Sequence, residues 1–159
     1  MIDRAVRTRQ TLVVRVRARV CAVPLTHVVE TMRPLPVEAV AGMPSFVRGV
    51  SIIRGLPTPI VDLGVVLGVP HCGGGSGAER VVTLRLGDRQ VALSVDSVLG
   101  VRDLDLSKLQ QLPPLLQGAS SDVIEAIGTL DEQFLLVLRE VSELPGEVWQ
   151  ALSSRPLSS

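Results

Sequence analysis

Val, Leu and Ile come in short runs broken by glycine, proline and charged residues, the rhythm of strands and tight turns. Residues 81–86 (VVTLRL) partly alternate, as a half-buried strand should. Gly87-Asp88 then supplies a hairpin turn, and Val91-Ala92-Leu93-Ser94-Val95 returns. Near the start, Arg15, Arg17 and Arg19 alternate with Val16, Ala18 and Val20. That alternation predicts a ribbon turning at Arg17-Ala18 with a basic face toward water, and exposed arginine also discourages edge pairing. In residues 46–68 (FVRGVSIIRGLPTPIVDLGVVLG), Val50, Ile52 and Ile53 lead into Arg54-Gly55, and Pro59, Ile60 and Val61 lead out. Gly55 offers the permissive backbone of a tight turn. Pro57 and Pro59 lack amide donors, so their strand should lie at a sheet edge or begin late. Asp62-Leu63 opens a small apolar element that stops at Gly68, with Asp62 as its cap.

This layout occurs twice. Residues 12–30 lie over 82–100 at a constant offset of 70, matching Leu12 with Val82, Val14 with Leu84, Ala22 with Ala92 and Val28 with Val98. Residues 46–67 lie over 123–144 at an offset of 77, matching Val47 with Ile124, Ile53 with Leu130 and Ile60 with Val137. Two halves of one design account for this more simply than chance agreement among Val-rich strands. Each half reads as strand, hairpin turn, strand, short helical turn, loop, then a strand pair. Residues 71–79 (HCGGGSGAE) read as a flexible surface loop between the halves. Residues 104–122, with Leu112-Pro113-Pro114 and Gly118-Ala119-Ser120-Ser121, read as a second long connection. Glu140–Leu152 can form a short helix broken near Pro145-Gly146, and Ser153–Ser159 should be frayed.

Composition sharpens the picture. A chain of 159 residues with 46% hydrophobic content suits one compact domain, or two small lobes sharing a core. Aromatics are only 2% (Phe46, Phe134 and Trp149), so Val and Leu must build that core. The net charge of zero makes no demand for nucleic acid, yet the charge is uneven. Residues 1–60 carry nine Arg against Asp3, Glu30 and Glu38; residues 61–159 carry seven basic and thirteen acidic groups. Solvated faces are one reading, and an oriented protein meeting partners of opposite charge is the other. Cys21 sits in an apolar run and Cys72 beside His71 in the glycine loop, a usage that suits a reducing cytoplasm. No run of 18 apolar residues predicts a membrane span, and MIDRAVRTRQ has no apolar signal core.

Candidate chemistry is sparse. His27 and His71 are the only histidines, with no nucleophile or ligand cluster around either, so neither catalysis nor metal binding is expected. Gly73, Gly75 and Ala78 formally match G-x-G-x-x-A. That motif needs a strand before it and a helix after it, and here a strand follows, so no cofactor is expected.

The stretch Gly49-Val50, Arg54-Gly55, Pro59-Ile60-Val61-Asp62-Leu63 resembles the signature of the CheW family, adaptors of bacterial chemosensory arrays. The resemblance runs from about Leu12 to about Leu144. It includes Val28-Val29-Glu30 after the first hairpin, the proline-rich Pro34-Leu35-Pro36 and Pro44, and Val95-Asp96-Ser97-Val98 after the second hairpin. It closes with Ile127–Leu130 and Phe134–Leu138. The chain departs from the pattern at Arg17 and Ala126, where glycine is usual, and at Ile52, usually polar.

The resemblance implies an all-β fold with short helices: two SH3-like five-stranded β-barrel subdomains related by a pseudo-twofold. It implies one domain over 12–146, with lobes at roughly 12–70 and 80–146 that are free to exchange strands, and flexible tails at 1–11 and 153–159. It implies a non-enzymatic, cytoplasmic adaptor without cofactor, coupling the cytoplasmic tip of a chemoreceptor to the regulatory domain of the histidine kinase CheA. Receptor contact would fall on Val28, Glu30, Gly49, Arg54 and Val98. Arg54 could bind a receptor carboxylate bidentately, and Glu30 could pair with a receptor Arg or Lys, or with Arg54 itself. The plainer roles are turn capping for Arg54, core packing for Val28 and Val98, and turn fixing for Asp96. Two rivals from other classes are an enzyme, for which His27 and His71 offer no nucleophile or ligand cluster, and an SH3- or OB-type nucleic-acid-binding barrel. Six Arg within residues 4–19 favour the barrel; the lack of stacking aromatics and the neutral charge oppose it.

Overall fold

The computed structural model describes residues 7–69, 77–111 and 123–140. His71 and Cys72, most of the glycine loop, the Leu112–Ser121 connection, the helix expected after Glu140, and the tail Ser153–Ser159 lie outside the described residues. Among these residues, eleven strands and one short α-helix follow in order, besides 3-10 turns at Leu25–His27 and Leu106–Lys108: β1 (Thr8–Val16), β2 (Arg19–Pro24), β3 (Val28–Met32), β4 (Val47–Ile53), β5 (Leu56–Asp62), α1 (Leu63–Val66), β6 (Arg80–Leu86), β7 (Arg89–Val95), β8 (Ser97–Asp105), β9 (Gln110–Gln111), β10 (Ile124–Leu130) and β11 (Gln133–Leu138). β1 begins inside the span read as a tail, because Thr8 to Thr11 pair with Asp105 to Arg102 of β8.

The strands form two sheets. One has five strands in the order β3-β6-β7-β5-β4, and the other has the order β8-β1-β2-β11-β10-β9. Replacing each strand by its mate under the sequence repeat turns the first order into the first five of the second, so the pseudo-twofold is visible in the topology itself. The two-residue β9 is the sixth strand that the five-stranded expectation lacks. Each sheet draws on both halves of the chain. The hairpin β1–β2 pairs with β8 and β11, and β11 in turn with β10; the hairpin β6–β7 pairs with β3 and β5, and β5 in turn with β4.

This exchange explains the apolar pattern. Leu12, Val14, Val16, Cys21, Val23, Val82, Leu84, Val91, Leu93 and Val95 form one core shared between the sheets. Their neighbours point the other way into two smaller cores: Val13, Val20 and Ala22 with Leu135 and Val137, and Ala92 and Val81 with Ile53 and Ile60. The central strands are therefore buried on both faces, which erases the polar half of the alternation. β4, covered on one face only, keeps a clean alternation, with Arg48 and Ile52 exposed between buried Val47, Gly49, Ser51 and Ile53. Pro57 and Pro59 fall where β5 is paired with β4 alone; β7 joins only from Ile60 onward, so missing amide donors cost nothing there.

The irregularities also obey the repeat. Bulges fall at Val29 in β3 and at its mate Leu99 in β8, and both side chains are left half exposed. Bulges fall again at Arg48 in β4 and at its mate Glu125 in β10. Ala126 stands where glycine is usual in the family, yet its φ is not positive, so the side chain is accommodated without strain.

Candidate partner-binding site

Arg54 and Glu30 meet in space. Arg54 and Gly55 form the β4–β5 turn with φ of +53° and +78°, both positive as a tight two-residue hairpin requires. Glu30 lies on β3, at the opposite edge of the same sheet. The Arg54 guanidinium donates from Nε to Glu30 Oε2 at 3.2 Å and from Nη2 to Glu30 Oε1 at 3.1 Å. The sheet thus curls until its two edges touch, and this bidentate pair joins them. Glu30 is held at its backbone as well: its N–H donates to Thr83 Oγ1, and Thr83 Oγ1 donates to the Glu30 carbonyl, each at 3.2 Å. The Arg54 side chain remains 74% exposed and that of Glu30 25%, so the pair is displayed to solvent and adds little to stability.

An analogous pair with reversed charges joins the second sheet: Asp131 is the mate of Arg54, while Arg102 lies two residues beyond Gly100, the mate of Glu30. Arg102 on β8 lies 3.5 Å from Asp131 in the β10–β11 turn, again joining an edge strand to a hairpin tip. One subdomain therefore presents a basic tip and the other an acidic one, with Glu132 beside Asp131. No sequence motif marks this counterpart.

Gly49 has a steric role. Its φ is +148°, and a Cβ there would overlap the Glu38 carbonyl and come within 2.7 Å of Val37 Cγ1. Glu38 lies that close because it bridges to Val50 by two 2.9 Å backbone hydrogen bonds, while Ser51 Oγ donates to the Pro36 carbonyl at 2.7 Å. Gly49 thus lets residues 36–38 lie against β4.

Val28 and Val98 occupy equivalent places, each half-buried and packed against the rim of the shared core, opposite Leu84 and Val14 respectively. Core packing is part of what both do. Val28 and Glu30 share β3, whereas Val98 belongs to the other sheet. Of the five candidates, the structure joins only Glu30 and Arg54 directly.

Two aspartates hold local structure. Asp62 Oδ1 accepts from the Val65 N–H at 3.2 Å and so caps α1. Asp96 Oδ2 accepts from the Arg17 N–H at 2.7 Å. Arg17 itself corrects the expectation of an arginine face turned to water. It is a turn residue with φ +56° and a side chain only 10% exposed, pointed at Asp62. Arg9 pairs with Glu125 at 2.5 Å, and Arg19 lies over the Phe134 ring at 5.9 Å. Three of the arginines that suggested a nucleic-acid surface are therefore engaged within the protein.

Comparison with known proteins agrees with this architecture. Residues 10–144 match the family model described as CheW-like domain. A chemotaxis protein CheW from Klebsiella aerogenes is 30% identical over 104 residues, 64% of this chain and 61% of that protein, so the match leaves part of each outside it. The crystal structure of the scaffolding protein TtCheW from Thermoanaerobacter tengcongensis superposes with a TM-score of 0.73 at 20% identity, over 84% of this chain and 90% of that one; this likeness speaks for the fold alone.

Proposed function

The chain belongs to the CheW-like domain family, and on that footing we propose that it is a non-enzymatic adaptor of a chemosensory array, joining a chemoreceptor's cytoplasmic tip to the regulatory domain of a CheA-type histidine kinase. The observation that carries the reading is the Glu30–Arg54 pair. Two charged groups are fixed in a bidentate geometry and left facing solvent, where they add little to stability. Such a pair is preorganised for exchange: a receptor carboxylate can take over Arg54 while a receptor Arg or Lys takes over Glu30. Val28, Gly49 and Val98 complete the proposed receptor surface. Val28 and Val98 contribute apolar rims, and Gly49 keeps residues 36–38 in place beside it.

The test is calorimetric titration with the isolated regulatory domain of the cognate kinase, then with a receptor-tip fragment, for the native chain and Arg54→Ala. Saturable binding of both partners by the native chain, with only receptor binding lost in Arg54→Ala, is expected. Absence of binding to either partner at tens of micromolar overturns the reading.

A further inference from the structure

We infer that Arg17 is a positioning residue that pins the two subdomains in one relative orientation. Its turn closes β1–β2, in one sheet, but its guanidinium reaches the end of the other. It donates to the Val69 carbonyl and lies 3.4 Å from both carboxylate oxygens of Asp62. Asp62 ends β5 and caps α1, and Val69 donates its own N–H to the Gly64 carbonyl of α1 at 2.9 Å. The Arg17 backbone is held from a third direction by Asp96, the single residue between β7 of one sheet and β8 of the other. One side chain and its backbone thus tie a hairpin of the first sheet, the helical cap of the second, and the point where the chain crosses between them.

Two further facts bear on this contact. α1 carries Gly64 against the guanidinium, where a Cβ would fall 2.6 Å from Arg17 Cζ and 2.7 Å from Nε. Gly64 has no positive φ, so its backbone does not ask for glycine; a Cβ there would instead make the Arg17 guanidinium move from its place. Arg17 in turn takes a left-handed φ that its mate in the second hairpin, Gly87 at φ +62°, takes as glycine, with nothing within 4 Å of a Cβ built there. The chain keeps an arginine where the backbone favours glycine, and it does so at one end of the pseudo-twofold. Asp96 lies two residues before Val98, so the pin also fixes the start of β8. Any consequence for partner affinity rests on the adaptor reading above; the pin itself does not.

The test uses the full chain in a Cys72→Ser background, with spin labels at Ile52→Cys and Val101→Cys, exposed sites on opposite sheets. The parent should give one narrow distance distribution. Arg17→Gly, which suits the turn's φ, and Gly64→Ala, which suits the helix but expels the guanidinium, should each broaden it. Amide exchange at Val69 and Asp96 should quicken about ten- to a hundredfold in both, the scale of a lost charge-assisted hydrogen bond. The double variant should be no worse than Arg17→Gly alone, since the alanine then meets open space. An unchanged distance distribution in both single variants, or strictly additive effects in the double variant, overturns the pin. Loss of partner binding with unchanged distances would speak only to the adaptor surface and would equally refute the pin. A broadened distribution with normal partner binding would keep the pin and refute its link to partners.

Discussion

Gly49→Ala is the sharpest perturbation the structure offers. The new methyl group would overlap the Glu38 carbonyl and press on Val37, so residues 37–38 must leave β4. Two backbone hydrogen bonds of 2.9 Å between Glu38 and Val50 then break. At about 1 kcal/mol each they account for about 2 kcal/mol, and a side chain at φ +148° adds about 1–2 kcal/mol more. The expected loss is about 3–4 kcal/mol, a large share of the roughly 5–15 kcal/mol that holds a domain of ordinary stability. Urea unfolding followed by far-UV circular dichroism reads this directly, as a midpoint about 1.5–2 M lower for a slope of about 2 kcal/mol per M. Gly42→Ala is the control. Its φ of +83° imposes a similar backbone strain, but nothing lies within 4 Å of the added carbon. Its loss should stay near about 1–2 kcal/mol. Equal losses for the two variants would refute the steric role assigned to Gly49 and return it to the list of direct contact residues.

Three other outcomes follow from the geometry. Glu30→Ala and Arg54→Ala should each change stability by less than about 1 kcal/mol in urea melts, because the pair is exposed, while abolishing receptor-tip binding. Thr58→Leu should cost about 1 kcal/mol or more, since buried Gln90 Nε2 loses its 2.9 Å bond to Thr58 Oγ1. Adding Gln90→Val to Thr58→Leu should recover most of that loss, because it copies the apolar Val20–Leu135 contact at the equivalent place. Burial pushes the Cys21 thiol up to about 12 from an ordinary 9.0, so in a Cys72→Ser background Cys21 should resist thiol reagents until the chain unfolds. The neutral thiol's contribution is intact below pH 9.0 and is lost as pH rises toward about 12, at no more than about 1.4 kcal/mol per unit, measurable as a falling urea midpoint.

Much of the architecture was legible in the residues. The offsets of 70 and 77 align strands, turns and even bulges, and the Gly87-Asp88 and Arg54-Gly55 turns sit where glycine placed them. Strand exchange was not decidable from periodicity. A hairpin that is apolar on both faces can pair with its own half or with the other, and only tertiary packing selects between them. Arg17 was misread for a related reason. The turn at Arg17-Ala18 was expected, but the alternation along Arg15, Arg17 and Arg19 was carried through it; β1 stops at Val16, and a turn residue obeys no two-residue period. A signal was nonetheless present, since arginine stands there where the family uses glycine. For the candidate site, the Glu30–Arg54 contact was one of the pairings the residues allowed. The reversed Arg102–Asp131 pair was hidden because neither residue belongs to a motif.

The central claim is coupling, which a single pairwise affinity does not establish. The decisive measurement is co-sedimentation of a receptor-tip fragment with the kinase regulatory domain, with and without this chain. The account predicts that the two partners travel together only when the chain is present, and that Arg54→Ala leaves the kinase domain bound while releasing the receptor fragment. Receptor and kinase domain that stay apart at saturating concentrations of the native chain would contradict it.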